Sequence, residues 1–194
     1  MNDRFLTVPN GYDAEKNPRV ASFAAQLDDR MAVLKREVSG LEVRQLEWQP
    51  HPGCNTIGML LAHFAVVDLW WLRLAPRQVL EAECDRITRD IIGITMDEDG
   101  LPIPSEGKHP TSLAGKTIAD YLKMLDAARA VAHQELRQWR DADLAGTYPL
   151  RDRVISREWT VYHVLEHFAG HLGQIQLLKH LMRDAGVLES SAKA

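Results

Sequence analysis

The stretch from Thr160 to Met182 constrains this chain more than any other, because its apolar residues recur at three- and four-residue intervals while His163, His167 and His171 recur at four. Such spacing fits an α-helix, in which residues four apart stand one turn above each other. The histidines therefore form a row. Turning about 100° per residue from His167, the same face carries Thr160, Val164, Gln174, Leu178, Leu181 and Met182, so the row is expected on the side turned to the core. A buried imidazole without a hydrogen bond or a metal costs on the order of a few kcal/mol, and this face has no carboxylate, Glu166 lying about 100° away. Two imidazoles four apart can share one cation. All three cannot, because His163 and His171 are separated by about 12 Å of helix rise. A third ligand has to come from elsewhere.

Three more helices are legible. Val20, Phe23, Ala24, Leu27, Met31, Leu34, Val38 and Leu41 make the stripe of a first helix, preceded by an extended arm over residues 1–17 with Pro9 and Gly11. Gln49-Pro50-His51-Pro52-Gly53 blocks its continuation, and Asn55 is the expected N-cap of a second helix from about Thr56 to Leu74. That helix is apolar around most of its circumference, as a central helix touching several neighbours must be. His63 lies inside its apolar arc and is the candidate third ligand; the Trp70-Trp71 pair reads first as core packing, with Trp70, which shares the face of His63, as the alternative pocket wall. Thr117 and Asp120 read as a capping box opening a third helix that carries on to Trp139, and Ser156 as the cap of the fourth, which runs to about Arg183.

The connections differ in length, and that has topological meaning. From Pro76 to Gly115 a short helix over 77–92 is followed by Gly93, Gly100, Pro102, Pro104, Gly107 and Pro110, a connection long enough to carry the chain across a bundle. Between Asp141 and Arg157, Tyr148-Pro149-Leu150 and Val154-Ile155 predict a small hairpin. The 194 residues suffice for one hydrophobic core, so residues 1–194 are expected to form one all-α domain, a four-helix bundle.

Composition excludes some partners. With 26% charged residues and a net charge of −4 there is no basic surface for nucleic acid or anionic lipid. The first residues lack the apolar run of a signal peptide, and the apolar segment from Ile57 to Leu74 is interrupted by His63, Asp68 and Arg73, so a soluble, cytoplasmic protein is expected. Cys54 and Cys84 are expected in loops or at their edges, without a recognisable pair spacing.

A lone histidine on an apolar face is usually a core residue with a backbone partner. Three inward histidines on two helices, His63 with His167 and His171, are better explained by a metal; for His163 the spacing leaves open that it takes the place of His167, hydrogen-bonds a ligand or points partly to solvent. His51, His109, His133 and His180 read as surface or loop residues. No His-Glu-x-x-His occurs, and Glu106-Gly-Lys-His109 in the Pro/Gly-rich loop is the one Glu-x-x-His, so neither a zincin nor a four-carboxylate di-iron bundle is supported. Neither cysteine has a His and Asn pattern for nucleophilic catalysis.

Asn55-Thr56-Ile57-Gly58 with His63 following, and His167-x-x-x-His171-x-Gly173-Gln174-Ile175, resemble the DinB-like and YfiT-like metalloenzymes over about residues 20–183. The resemblance implies an up-down-down-up four-helix bundle with its long second connection crossing over. It also implies a divalent metal ion, zinc, nickel or iron, on His63, His167 and His171, which leaves His163 to assist catalysis beside the ligands. Relatives include transferases of low-molecular-weight thiols such as bacillithiol and mycothiol. The expected function is metal-dependent transfer of such a thiol to an electrophilic small molecule. The alternative is a non-catalytic metal-binding or stress-related binding protein. A small-molecule substrate, with a homodimer as an open option for assembly, completes the expected partners; nucleic acid and membrane are not among them.

Overall fold

The computed structural model describes residues 5–189, and its architecture is mainly helical with one small hairpin. The helices are α1 (Pro18–Val38), α2 (Val43–Leu46), α3 (Ile57–Leu69), α4 (Glu81–Ile92), α5 (Ile118–Leu136) and α6 (Arg157–Asp184). Strands β1 (Thr147–Leu150) and β2 (Arg153–Ser156) pair antiparallel, with Tyr148 opposite Ile155. The four long helices are those the apolar periodicities predict, and the hairpin lies where expected.

Helix α3 is the centre of the packing. It leans on both α5 and α6, and α1 closes the other side against the same two helices. Twelve of its thirteen residues are buried, and the exception is His63. Ile57–Leu74 is long and apolar enough to cross a membrane, but 78% of that window is buried inside the protein, as in a core helix. Its N-cap is Thr56, whose hydroxyl accepts from the Met59 amide, and not Asn55 one residue earlier. After Leu69 the helix widens into a π-helical turn over Trp70–Leu74.

One buried charge pair crosses this core: Arg129 of α5 donates to both carboxylate oxygens of Asp68 of α3, at 2.9 and 3.4 Å. Both residues are nearly inaccessible, so truncating either one strands a charge at a cost of about 3–5 kcal/mol. Helix α1 ends at Val38, earlier than the stripe through Leu41 predicts, because the chain turns at Gly40 with φ 77°. Leu41 still belongs to the core. Pro18 opens α1, and its first free amides are satisfied from far along the chain, the Asp141 carboxylate accepting from Arg19 and Val20 at 3.0 Å each.

Residues 75–117 hold α4 packed on α5, then a run of turns. Cys84 sits inside α4 and is buried, not in a loop, whereas Cys54 is in the loop before α3; both are free thiols. His133 is a buried residue of α5 rather than a surface one, its Nε2 lying 2.8 Å from Asp28 and its Nδ1 2.7 Å from the Tyr12 hydroxyl. Tyr12 thereby ties the N-terminal arm to the bundle.

Helix α6 buries Thr160, Val161, Val164, Phe168, Leu172, Ile175, Leu178 and Met182. By helical arithmetic the centre of that face is about 80° from His167, so the histidine row lies on the shoulder between core and solvent and not at the middle of the buried side. Gln174 is exposed and Leu181 half-buried, in agreement with this rotation. Beyond the row the helix is simple packing. Leu178 is 7% exposed and joins the main core, so Leu178→Ala should cost about 2–5 kcal/mol in chemical denaturation while leaving metal affinity per folded molecule unchanged.

Candidate metal centre

His63 from α3 and His167 and His171 from α6 come together at that shoulder. The Nε2 atom of His167 lies 3.1 Å from Nε2 of His63 and 3.0 Å from Nε2 of His171, and one ligand atom from each of the three falls within 4.8 Å of the others. Two nitrogens on one tetrahedral ion with bonds of about 2.0–2.1 Å stand roughly 3.3–3.4 Å apart, so these spacings are near what a shared cation requires. The floor beneath them is the Phe64–Phe168 stack, ring centroids 4.1 Å apart, and the Phe64 ring meets the edge of His171.

Hydrogen bonds decide where the lone pairs point. His63 donates from Nδ1 to Asp99 Oδ2 at 2.7 Å, and His171 donates from Nδ1 to Gln174 Oε1 at 3.0 Å. A neutral imidazole that donates from Nδ1 carries its lone pair on Nε2. Two lone pairs therefore converge on His167 Nε2, and the proton of His167 is shared between them. His167 Nδ1 is buried and has no hydrogen-bond partner among the described residues. All three rings offer Nε2 to one point, and burial keeps His167 neutral, its pKa pushed down to about 3 chiefly by desolvation and secondarily by its histidine neighbours. With the His167 proton moved to Nδ1, three Nε2 atoms would face one point, a donor set that fits a borderline divalent cation such as zinc, nickel or iron.

His163 is one turn away and outside this cluster. Its ring stacks on Trp159 at 4.7 Å and 7°, meets Trp71 edge-on at 4.8 Å, and lies 5.7 Å from His167 between centroids. Its Nδ1 is 3.8 Å from the Glu166 carboxylate, and burial holds its pKa below the ordinary value. The tryptophan that reaches the row is Trp71 and not Trp70. Both tryptophans open the π-helical turn and both pack toward the hairpin, and Trp71 also reaches His163.

Asp99 was invisible to helical arithmetic on α6, because it arrives from a turn 36 residues beyond His63. Asp97-Glu98-Asp99-Gly100 reads as an ordinary acidic turn, with no sequence signal pairing it with a histidine. Asn55 and Gln174 were visible as motif residues, but their contact was not: Asn55 Nδ2 donates to Gln174 Oε1 at 3.3 Å, steadying the amide that receives the His171 proton. Of the remaining histidines, His51 and His180 are exposed, and His109 is half-buried against the Thr56 hydroxyl.

Comparison with known proteins gives a consistent picture. A model of the DinB superfamily matches residues 26–175. A comparison with curated proteins gave no match. Among solved structures, a DinB-like protein from Bacillus cereus ATCC 10987 superposes with a TM-score of 0.51 and 16% identity, covering 89% of this chain and 96% of that one. A conserved protein from Enterococcus faecalis superposes with a TM-score of 0.61 and 15% identity, covering 82% of this chain and 94% of that one. At these identities the likeness is one of fold.

The depressed His167 pKa has a stability consequence. Between about 3 and 6.5 the unfolded chain takes up a proton at this position that the folded metal-free chain refuses, so acidification through that window destabilises the fold. His171 and His163 are shifted in the same direction and add to the effect. Urea midpoints of metal-free wild type and His167→Gln should therefore diverge in pH dependence between 6.5 and 3, with the wild type losing more.

Proposed function

We propose that this chain, which belongs to the DinB superfamily, is a metal-dependent enzyme that joins a low-molecular-weight thiol to an electrophilic small molecule. The observation that carries this reading is the convergence of three Nε2 atoms at the edge of the bundle, where solvent and substrate have access. His63, His167 and His171 would hold the ion. Three protein ligands leave coordination open, and a divalent cation in such a site supplies Lewis acidity that favours the thiolate form of a small thiol at neutral pH.

The chain's own residues then have separable tasks. Asp99 and Gln174 receive the Nδ1 protons of His63 and His171 and so fix the direction of two ligands. His163, held uncharged by burial with Nδ1 toward Glu166, has Nε2 left to take a proton from the incoming thiol. Trp71 and Trp159 make the apolar wall around His163, which limits water there. No cysteine of the protein takes part: Cys84 is buried in α4, and Cys54 lies outside the histidine cluster. The reading also gives the four long helices the up-down-down-up sense, with residues 75–117 as the crossing connection that partly covers the site.

Metal analysis of untagged protein comes first. The double variant His167→Ala/His171→Ala should lose stoichiometric metal; retention would place the site elsewhere. Metal-loaded wild type incubated with bacillithiol, mycothiol, glutathione or coenzyme A and monochlorobimane should form conjugate faster than His171→Ala. No acceleration with any thiol, together with an unchanged cobalt spectrum on thiol addition, would favour a protein that binds metal without this catalysis.

A further inference from the structure

The three histidines are alike in sequence and unlike in support. His63 donates a hydrogen bond from Nδ1 to a carboxylate and His171 to a neutral amide, whereas Nδ1 of His167 meets no partner among the described residues. Asp99 is 1% exposed, and its other oxygen accepts from the Leu101 amide at 3.0 Å. Gln174 is exposed. A hydrogen bond to a buried carboxylate is stronger than one to a solvated amide, because the acceptor is charged and water does not compete for it.

The turn that carries Asp99 is clamped on both sides. The Thr95 amide donates to Glu98 Oε2 at 2.7 Å, Arg89 pairs with the same side chain, and the Ser112 hydroxyl donates to the Glu98 carbonyl at 2.7 Å. Gly100 follows with φ 80°, and a Cβ there would meet Pro110 at 2.9 Å and Met59 at 3.1 Å, so the backbone is pressed onto α3 four residues from His63. The carboxylate is thus delivered to His63 by a rigid turn and not by a mobile loop.

We infer that Asp99 is a positioning residue: it holds His63 as the Nδ1–H tautomer, keeps its Nε2 lone pair turned toward His167 and His171, and makes His63 the anchoring ligand of the three. His167 is the adaptable one. In the metal-free chain its proton belongs on Nε2, between the lone pairs of His63 and His171; offering Nε2 to a cation obliges that proton to move to Nδ1. The irregular connection between α4 and α5 is therefore part of the site, contributing a buried carboxylate that faces a ligand ring. This inference rests on the reading of the cluster as a metal centre, but the proton positions it assigns exist without metal.

The test uses full-length protein with 15N-labelled histidine. Long-range 1H–15N spectra of the metal-free wild type should show His63 and His171 protonated on Nδ1 and His167 on Nε2. In Asp99→Asn, which keeps the volume and loses the charge, His63 should become a mixture of tautomers, and zinc affinity measured against a competing chelator should fall by about 10–100-fold. Gln174→Ala should weaken zinc by less than about fivefold, as expected for an exposed neutral hydrogen bond. Should Asp99→Asn not fold by circular dichroism, Asp99→Ser removes the charge at smaller volume and is read in the same way. His63 remaining purely Nδ1-protonated with zinc affinity unchanged in the folded variant would overturn the inference. Absence of zinc binding by wild type would overturn the metal reading instead, and the metal-free spectra would still judge the role of Asp99.

Discussion

The structure depends on the near-complete burial of α3. A helix with twelve of thirteen residues out of water must be covered on every side, and each neighbour has a share: α5 and α6 flank it, and α4 closes over it from the long connection. Burying that much apolar surface supplies the main driving force for folding, at roughly 25 cal/mol for each Å² removed from water. The same burial sets the terms for every polar group on the helix. Asp68 persists there because Arg129 meets it with two hydrogen bonds. His63 persists because it stands at the one gap in the covering, its side chain 20% exposed and its Nδ1 bonded to Asp99.

From this follows the character of the site. A histidine cluster at the middle of a bundle would be shut in, and one on a fully exposed face would take up protons at mild acidity and have its hydrogen bonds contested by water. On the shoulder of α6 the imidazoles are dry enough to stay neutral and open enough to be reached. The aromatic residues share the work: Phe64 and Phe168 stack beneath the ligand rings, while Trp71 and Trp159 surround His163. These residues come from α3, its π-helical extension and α6, so the site is built on rigid helices.

Much of this was legible in the sequence, because helical periodicity is a local property. The stripes of α1, α5 and α6 and the caps at Thr117 and Ser156 needed only neighbours a few residues away. That His63 and the histidine row of α6 turn toward each other could also be anticipated from two apolar arcs, whereas the choice of His167 over His163 came from the resemblance to DinB-like proteins. What was not legible depends on contacts between distant segments or on small rotations. Asp99 reaches His63 from an acidic turn whose sequence predicts only a turn. Trp71, and not Trp70, meets His163 at the start of a π-helical turn, and no residue type announces that turn. The row's place at the edge of the buried face was missed for a related reason: alternating apolar residues locate the stripe, but which side of it is covered depends on where α3 lies. His133 was read as a surface residue because its partners, Asp28 and Tyr12, are more than a hundred residues away.

The hydrogen bonds from Arg19 and Val20 to Asp141 bear on the order in which the molecule can assemble. Helix α1, made before the other helices of the bundle, has its opening amides satisfied by a carboxylate some 122 residues later, contributed by the turn that precedes the hairpin. Until that turn is synthesised, the start of α1 has only water and Asn17 beside it, and α6, one of the two helices on which α1 rests, does not yet exist. The start of α1 is therefore made before the partners that complete it, so a nascent chain stalled before residue 141 carries an α1 whose apolar stripe is without its final cover.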